Sequence, residues 1–310
     1  MLLLTANRQT KFRPPSLLEF QASFPTGDDC ARFLFEMRWP DGWICPKCGG
    51  VKYYPIKTRG LYECASCRYQ ASLTAGTVMH KTRTALSLWS LMIYFMTTDK
   101  RGISSVMLGK QLGISQKRAW CLLQKLRKAM GEREGNYRLK DLVELSGCFF
   151  GAPKQGGSRK RNKCKIQVLA GLSMTKEGKP LRIKFTVLTG LDRKHLEQAA
   201  EGMVAPGARV KTNGLRGYLN LDNKGFSHER VVGKDAGTPD LQSWLQVIVS
   251  NALALIGGTY HGVDPKHLQA YLDEFAYRFN RRHRPDLIFG QCVTAVVNCP
   301  IWTYADIVGG

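Results

Sequence analysis

Apolar residues recur at helical spacing in the first part of the chain, then switch to the shorter runs of β-strands. The first helical stretch reaches about Arg38, with Asp28 and Asp29 as candidate caps and Phe33, Leu34 and Met37 on its apolar side. Trp39-Pro40 ends it, because proline restricts the backbone of the residue before it. From Lys81 the helical period returns. Leu86, Trp89, Leu91, Met92, Tyr94 and Phe95 predict a strongly apolar helix, and a second follows over about Ser104–Leu112. Gly113 breaks the pattern, Ser115 is placed to cap the next helix, and Gln116–Met130 predicts a third. Its Ala119, Leu122, Leu123, Leu126 and Met130 fall on one face, while the polar stretch Gly131–Arg138 reads as a hinge.

Beyond that hinge the pattern predicts strands at Leu142–Phe150, Ile166–Met174 and Arg182–Leu188. A helix at about Arg193–Met203 comes next, then a short strand at Ala208–Thr212 and helices near 240–256 and at 265–282. Asp264 and Pro265 open the last helix, and Leu268, Tyr271, Leu272, Phe275 and Phe279 give it a core stripe. Three strands, then helix, strand and helices, predict an α/β domain with a mixed sheet. Leu241–Val263 carries no charge, but Gln242, Gln246, Ser250 and Asn251 interrupt it, so it reads as a buried helix and not a membrane span.

Charge changes the picture. The 310 residues carry 46 Lys plus Arg against 24 Asp plus Glu, a net +22, which points to an anionic partner such as nucleic acid. The third helix contributes Lys117, Arg118, Lys125 and Lys128 opposite its apolar face. Helix, glycine turn and basic helix form a helix-turn-helix signature for DNA, and a plain three-helix bundle with a solvated basic face is the alternative. The segment Gly151–Lys165 holds Arg159, Lys160 and Arg161 among six cations and no acid; it is either a solvated loop or one that tracks phosphates.

Four of the ten cysteines have a spacing of their own. Cys45 and Cys48 form C-P-K-C, and Cys64 and Cys67 form C-A-S-C after fifteen residues. Two knuckles at this separation predict a zinc ribbon, a closed four-thiolate site for one structural Zn²⁺. Tyr53, Tyr54 and Tyr62 are candidates to cover it. The other six cysteines are scattered without a framework, which suits a reducing compartment.

These motifs, taken with T-A-G-T-V-M-H-K-T-R-T at 74–84, V-E-L-S-G-C-F-F-G at 143–151, K-T-N-G at 211–214, S-N at 250–251 and the long G-T-Y-H-G-V-D-P-K-H-L-Q-A-Y-L run from 258, carry a resemblance. The chain resembles bacterial insertion-sequence transposases with an N-terminal zinc ribbon and a ribonuclease-H-like catalytic domain. The resemblance implies four segments: an entry helix over 1–40, the ribbon over 41–76, a helix-turn-helix over 77–132 and the ribonuclease-H-like domain over 139–300. It also implies DNA cutting and strand transfer with Mg²⁺ held by strand carboxylates.

The resemblance places the family's catalytic positions at Ser146, Asn213 and Asn251. The first two would be aspartates in the family pattern, and Leu253 stands where a lysine would be. Two neutral side chains at a dication site imply that Mg²⁺ is not bound and that the protein is a DNA-binding pseudoenzyme. The alternative is an active transposase with non-standard ligands, for which Glu144 shares the strand face of Ser146. The implied partners are transposon-end DNA and further copies of the chain, with no membrane and a cytoplasmic, nucleoid-associated location.

Overall fold

A computed structural model describes residues 16–151, 165–190, 192–213, 221–231 and 243–309. Two compact units result. One joins Met1–Glu132 with Arg281–Gly310, and the other is Arg133–Asn280. The stretch from 281 thus belongs with the N-terminal unit, whereas the resemblance carried the ribonuclease-H-like domain on to residue 300.

The N-terminal unit begins with α1 (Leu17–Ser23) and α2 (Gly27–Arg38). Thr26 caps α2, not Asp28 or Asp29. Its hydroxyl accepts from the Asp29 amide while the Asp29 carboxylate accepts from the Thr26 amide, so two end donors are satisfied at once. The apolar helix α3 (Leu86–Thr98) and the late helix α9 (Pro285–Asn298) pack on α2. Phe20, Phe24, Phe33, Tyr94 and Phe289 form the shared core, with ring centroids 4.6 Å apart for Phe20–Tyr94 and 5.4 Å for Phe20–Phe289.

Next come α4 (Ser105–Leu112) and α5 (Gln116–Gly135), joined by a tight turn. Gly113 adopts the left-handed conformation (φ +64°) that turns the chain, and Ser115 Oγ accepts from the Arg118 amide at the start of α5. Gly109 lets the helices approach, since a Cβ there would stand 2.9 Å from the Ile114 carbonyl oxygen, whose own backbone N–H donates to Gly109 O. Gly109→Val is therefore expected to destabilise this unit by about 1–3 kcal/mol, read as a lowered Tm, although an unhindered helical glycine would gain from substitution. The expected hinge does not form, because α5 runs unbroken through Gly131 to Gly135.

The second unit holds a five-stranded sheet ordered β6-β5-β4-β7-β8. These strands are β4 (Leu142–Phe150), β5 (Ile166–Met174), β6 (Pro180–Val187), β7 (Arg209–Asn213) and β8 (Ser227–Val231). β4, β5 and β6 form an antiparallel meander; β7 and β8 run parallel to β4. This is the ribonuclease-H-like arrangement. Helix α6 (Arg193–Met203) covers one face with Leu196, Ala200 and Met203 over Val143, Leu145 and Val210. Gly171 on β5 opens that face to α6, since a Cβ would meet Met203 Sδ at 2.5 Å. The opposite face lies under α7 (Trp244–Gly258) and α8 (Leu268–Phe279), with Val168, Ala170, Leu172, Ile183 and Phe185 beneath Ile248, Ala252 and Leu272. Within the uncharged stretch, Trp244–Gly258 is thus a packed helix, and among the described residues no helix is long and apolar enough to cross a membrane.

Candidate functional site

Within the N-terminal unit, three short strands, β1 (Tyr53–Ile56), β2 (Leu61–Cys64) and β3 (Gln70–Ser72), build the ribbon. Two matching turns bring the thiols together. Gly49 donates to the Cys45 carbonyl in the first knuckle and Arg68 to the Cys64 carbonyl in the second, with both residues in left-handed backbone (φ +74° and +59°). The four Sγ atoms of Cys45, Cys48, Cys64 and Cys67 lie within 4.8 Å of one another, with Cys45···Cys67 at 3.7 Å and Cys48···Cys64 at 3.5 Å. Zn–S bonds of about 2.3 Å in a tetrahedron need sulfurs about 3.8 Å apart, so the set fits zinc. The Cys67 backbone N–H brings the Cys64 thiol down to about 6, toward the thiolate that a metal requires.

The cover over this site is aromatic. Phe35, Trp39, Trp43, Tyr53 and Tyr62 pack with tilted rings, Phe35–Tyr62 at 4.9 Å and Trp43–Tyr53 at 5.2 Å, and Tyr62 meets Trp39 and Tyr53 edge-on. Tyr54, expected to join them, points outward and is 61% exposed, because strand alternation puts it on the face opposite Tyr53. The Arg38 guanidinium ties the end of α2 to the ribbon by donating to the carbonyls of Ser72, Leu73 and Ala75.

The second candidate site lies where β4 and β7 run side by side. Their ladder pairs Glu144 with Lys211 and Leu145 with Thr212, and one residue further along each strand stand Ser146 and Asn213. Alternation puts Glu144, Ser146 and Cys148 on the α7/α8 face together with Phe150. Asn213 ends β7, paired in the ladder with Val231. Asn251 sits two turns into α7 on its exposed flank.

The acids nearest this face are engaged. The Glu144 carboxylate accepts from the Ser243 hydroxyl, which itself caps α7 by accepting from the Leu245 amide at 3.1 Å. Glu229, across Lys211 in the ladder, pairs with Arg209 at 2.9 Å. Asp222 is no substitute. It bonds the His228 amide at the amino end of β8, away from the carboxyl end of β7. Burial pushes the Cys148 thiol up to about 12, so it is no nucleophile. His228 lies in register with Val210 on the α6 face, where its Nε2 meets Thr212 Oγ1 at 2.8 Å. Among the described residues, the ribbon cysteines are the sole group of three or more His, Cys, Asp or Glu placed to share a metal.

Comparison with known families agrees with both architectures. Residues 138–280 match the ISXO2-like transposase domain, and residues 25–70 match the transposase zinc-ribbon domain. Both matched domains are those of insertion-sequence transposases. A search of curated proteins found no match.

The basic face expected of α5 is largely used up within its own unit. Lys125 Nζ donates to the Val78 carbonyl at 2.9 Å, and burial holds its pKa below the usual lysine range. Lys128 pairs with Glu132 at 2.6 Å and lies 5.8 Å from the Trp302 ring. At the exposed first turn, Arg118 donates to Thr84 and Lys117 lies 5.7 Å from the Tyr304 ring. Sequence periodicity could not show this, because the covering residues come from 78–84 and from beyond 300. Arg159, Lys160 and Arg161 lie outside the described residues.

Proposed function

We propose that this transposase-family protein binds transposon-end DNA and does not cut it. The observation that carries the reading is the pair Ser146 and Asn213 at the family's carboxylate positions on adjacent strands. A divalent cation such as Mg²⁺ needs anionic oxygens, and each of these side chains offers one neutral oxygen. Asn251 would complete the set with a third neutral group. The retained equipment is for holding DNA: a closed zinc ribbon, and α4 with α5 as a helix-turn-helix whose exposed first turn presents Lys117 and Arg118. Paired ends call for paired proteins, so the working form is a homo-oligomer.

The redistribution of cations on α5 makes this reading specific. Binding of a labelled duplex, followed by fluorescence anisotropy across a salt series, should weaken steeply as salt rises. Lys117→Ala and Arg118→Ala should each flatten the log–log slope by about 0.9. Lys125→Ala should leave the slope unchanged and lower Tm, since it removes the bond to Val78 O, worth about 1 kcal/mol. A salt-independent affinity would contradict the proposal. One observation favours a second reading, an active transposase with non-standard ligands: the Glu144 carboxylate lies on the Ser146 face. That reading requires Glu144 to leave Ser243 and take up metal, and Glu144→Gln would then abolish cleavage.

A further inference from the structure

The exposed face of the ribbon sheet is organised differently from the aromatic face behind it. Tyr54, Glu63 and Gln70 face one another across the three strands. Hydrogen bonds link this row to two arginines. Arg59 Nη1 donates to Gln70 Oε1 at 3.1 Å, Gln70 Nε2 donates to Glu63 Oε2 at 3.0 Å, and Arg68 Nη1 donates to Glu63 Oε1 at 2.8 Å. A guanidinium thus stands at each end of an acceptor chain. The Arg68 side chain is 76% exposed, and a guanidinium has five donors, so most of its donors face solvent.

The backbone at Arg68 gives this arrangement its meaning. The two knuckles are equivalent, and the residue after the second cysteine of each is left-handed. The first knuckle uses Gly49, the residue that adopts this conformation without steric cost; the second holds an arginine there at φ +59°. A strained conformation kept where glycine would serve points to a use for the side chain. The ion pair with Glu63 does not supply one, because exposed pairs contribute little to stability and Glu63 keeps Gln70 as a partner.

Charge identifies what the face fits. Between Asp41 and Gly76 the chain carries five Lys or Arg against two acids, and Lys52 and Lys57 are exposed on the same small module. Held arginines that keep free donors beside an exposed tyrosine suit phosphate oxygens and the sugar edge of a duplex.

We propose that this face of the ribbon, through Arg59, Arg68 and Tyr54, is a phosphate-contacting surface for double-stranded DNA. It rests on the DNA-binding reading above and adds a second contact surface to the first turn of α5. The ladder pre-positions both guanidinium groups, so little side-chain freedom is lost on binding.

The test uses the full chain and a labelled mixed-sequence duplex, with zinc content and Tm measured alongside. Arg68→Gly relieves the strained position, so the fold and the zinc should be retained and Tm should be equal or higher. DNA affinity should nevertheless fall about fivefold at 0.15 M salt, and the salt slope should flatten by about 0.9. Arg59→Gln reads the same surface outside the knuckles and should give a loss of similar size. Unchanged affinity and slope in both variants would overturn the proposal while leaving DNA binding by the chain in place. Failure of the parent chain to bind the duplex at low salt would overturn both readings.

Discussion

Replacing Cys64 by alanine, or stripping the metal with a chelator, is expected to unfold the ribbon. Its own buried core is Trp43, Cys45, Cys64 and Ala71, and its strands are three or four residues long. Such a module cannot bury enough apolar surface to be stable alone. Structural zinc contributes roughly 10–16 kcal/mol, comparable with the whole stability of an ordinary domain, so its loss is decisive. Metal analysis should give one zinc per natively purified chain and none in Cys64→Ala. The near-ultraviolet signal of Trp39 and Trp43 should collapse with the metal, because both rings pack in the cover over the site. An intact aromatic signal in zinc-free protein would show that the cysteines hold no structural ion.

The second large effect concerns the sheet. The parent chain should bind no Mg²⁺ or Mn²⁺ at the end of β7, whereas Ser146→Asp combined with Asn213→Asp should create a site. The two added carboxylates would stand on neighbouring parallel strands, with Glu144 two residues before position 146 on β4. Ligand charge count dominates affinity for hard cations, so the gain should be at least roughly a hundredfold in Mn²⁺ affinity, measurable by calorimetry. Either substitution alone should give a much smaller gain. Equal Mn²⁺ binding by the parent and double variant would mean that other groups hold the ion.

Much of this was legible in the sequence, for identifiable reasons. The cysteine spacing announced the ribbon because metal ligation fixes it locally. β4 and α6 showed their bounds because each buries chiefly one face or stripe, and β5 because it is a continuous apolar run buried on both faces. β8 escaped because Ser-His-Glu-Arg-Val holds one apolar residue and lies at the sheet edge, where polar side chains are tolerated. α9 escaped because it is buried nearly all round, through Leu287, Phe289, Val293 and Val296, and so shows no amphipathic period.

The candidate sites divided in the same way. Ser146 and Asn213 were found by motif and then placed on neighbouring strands by the ladder. The DNA face of α5 was overstated, since periodicity marks a helix face as polar and says nothing of what covers it. Lys125 satisfies a distant carbonyl, and Lys128 meets a tryptophan from the other end of the chain. Arg68 carried no sequence signal beyond its place after a cysteine. Only its left-handed backbone, matched to Gly49, set it apart.

The central claim is that the DNA-holding parts remain while the cutting site has lost its metal. Incubating the purified parent chain with its matching inverted-repeat DNA and Mg²⁺ or Mn²⁺ tests this most directly, with Ser146→Asp/Asn213→Asp and Glu144→Gln in parallel. The parent chain is predicted to bind the DNA and leave it unnicked, and the double variant is the one in which nicking should emerge. Robust, metal-dependent nicking by the parent chain, abolished by Glu144→Gln, would contradict the account.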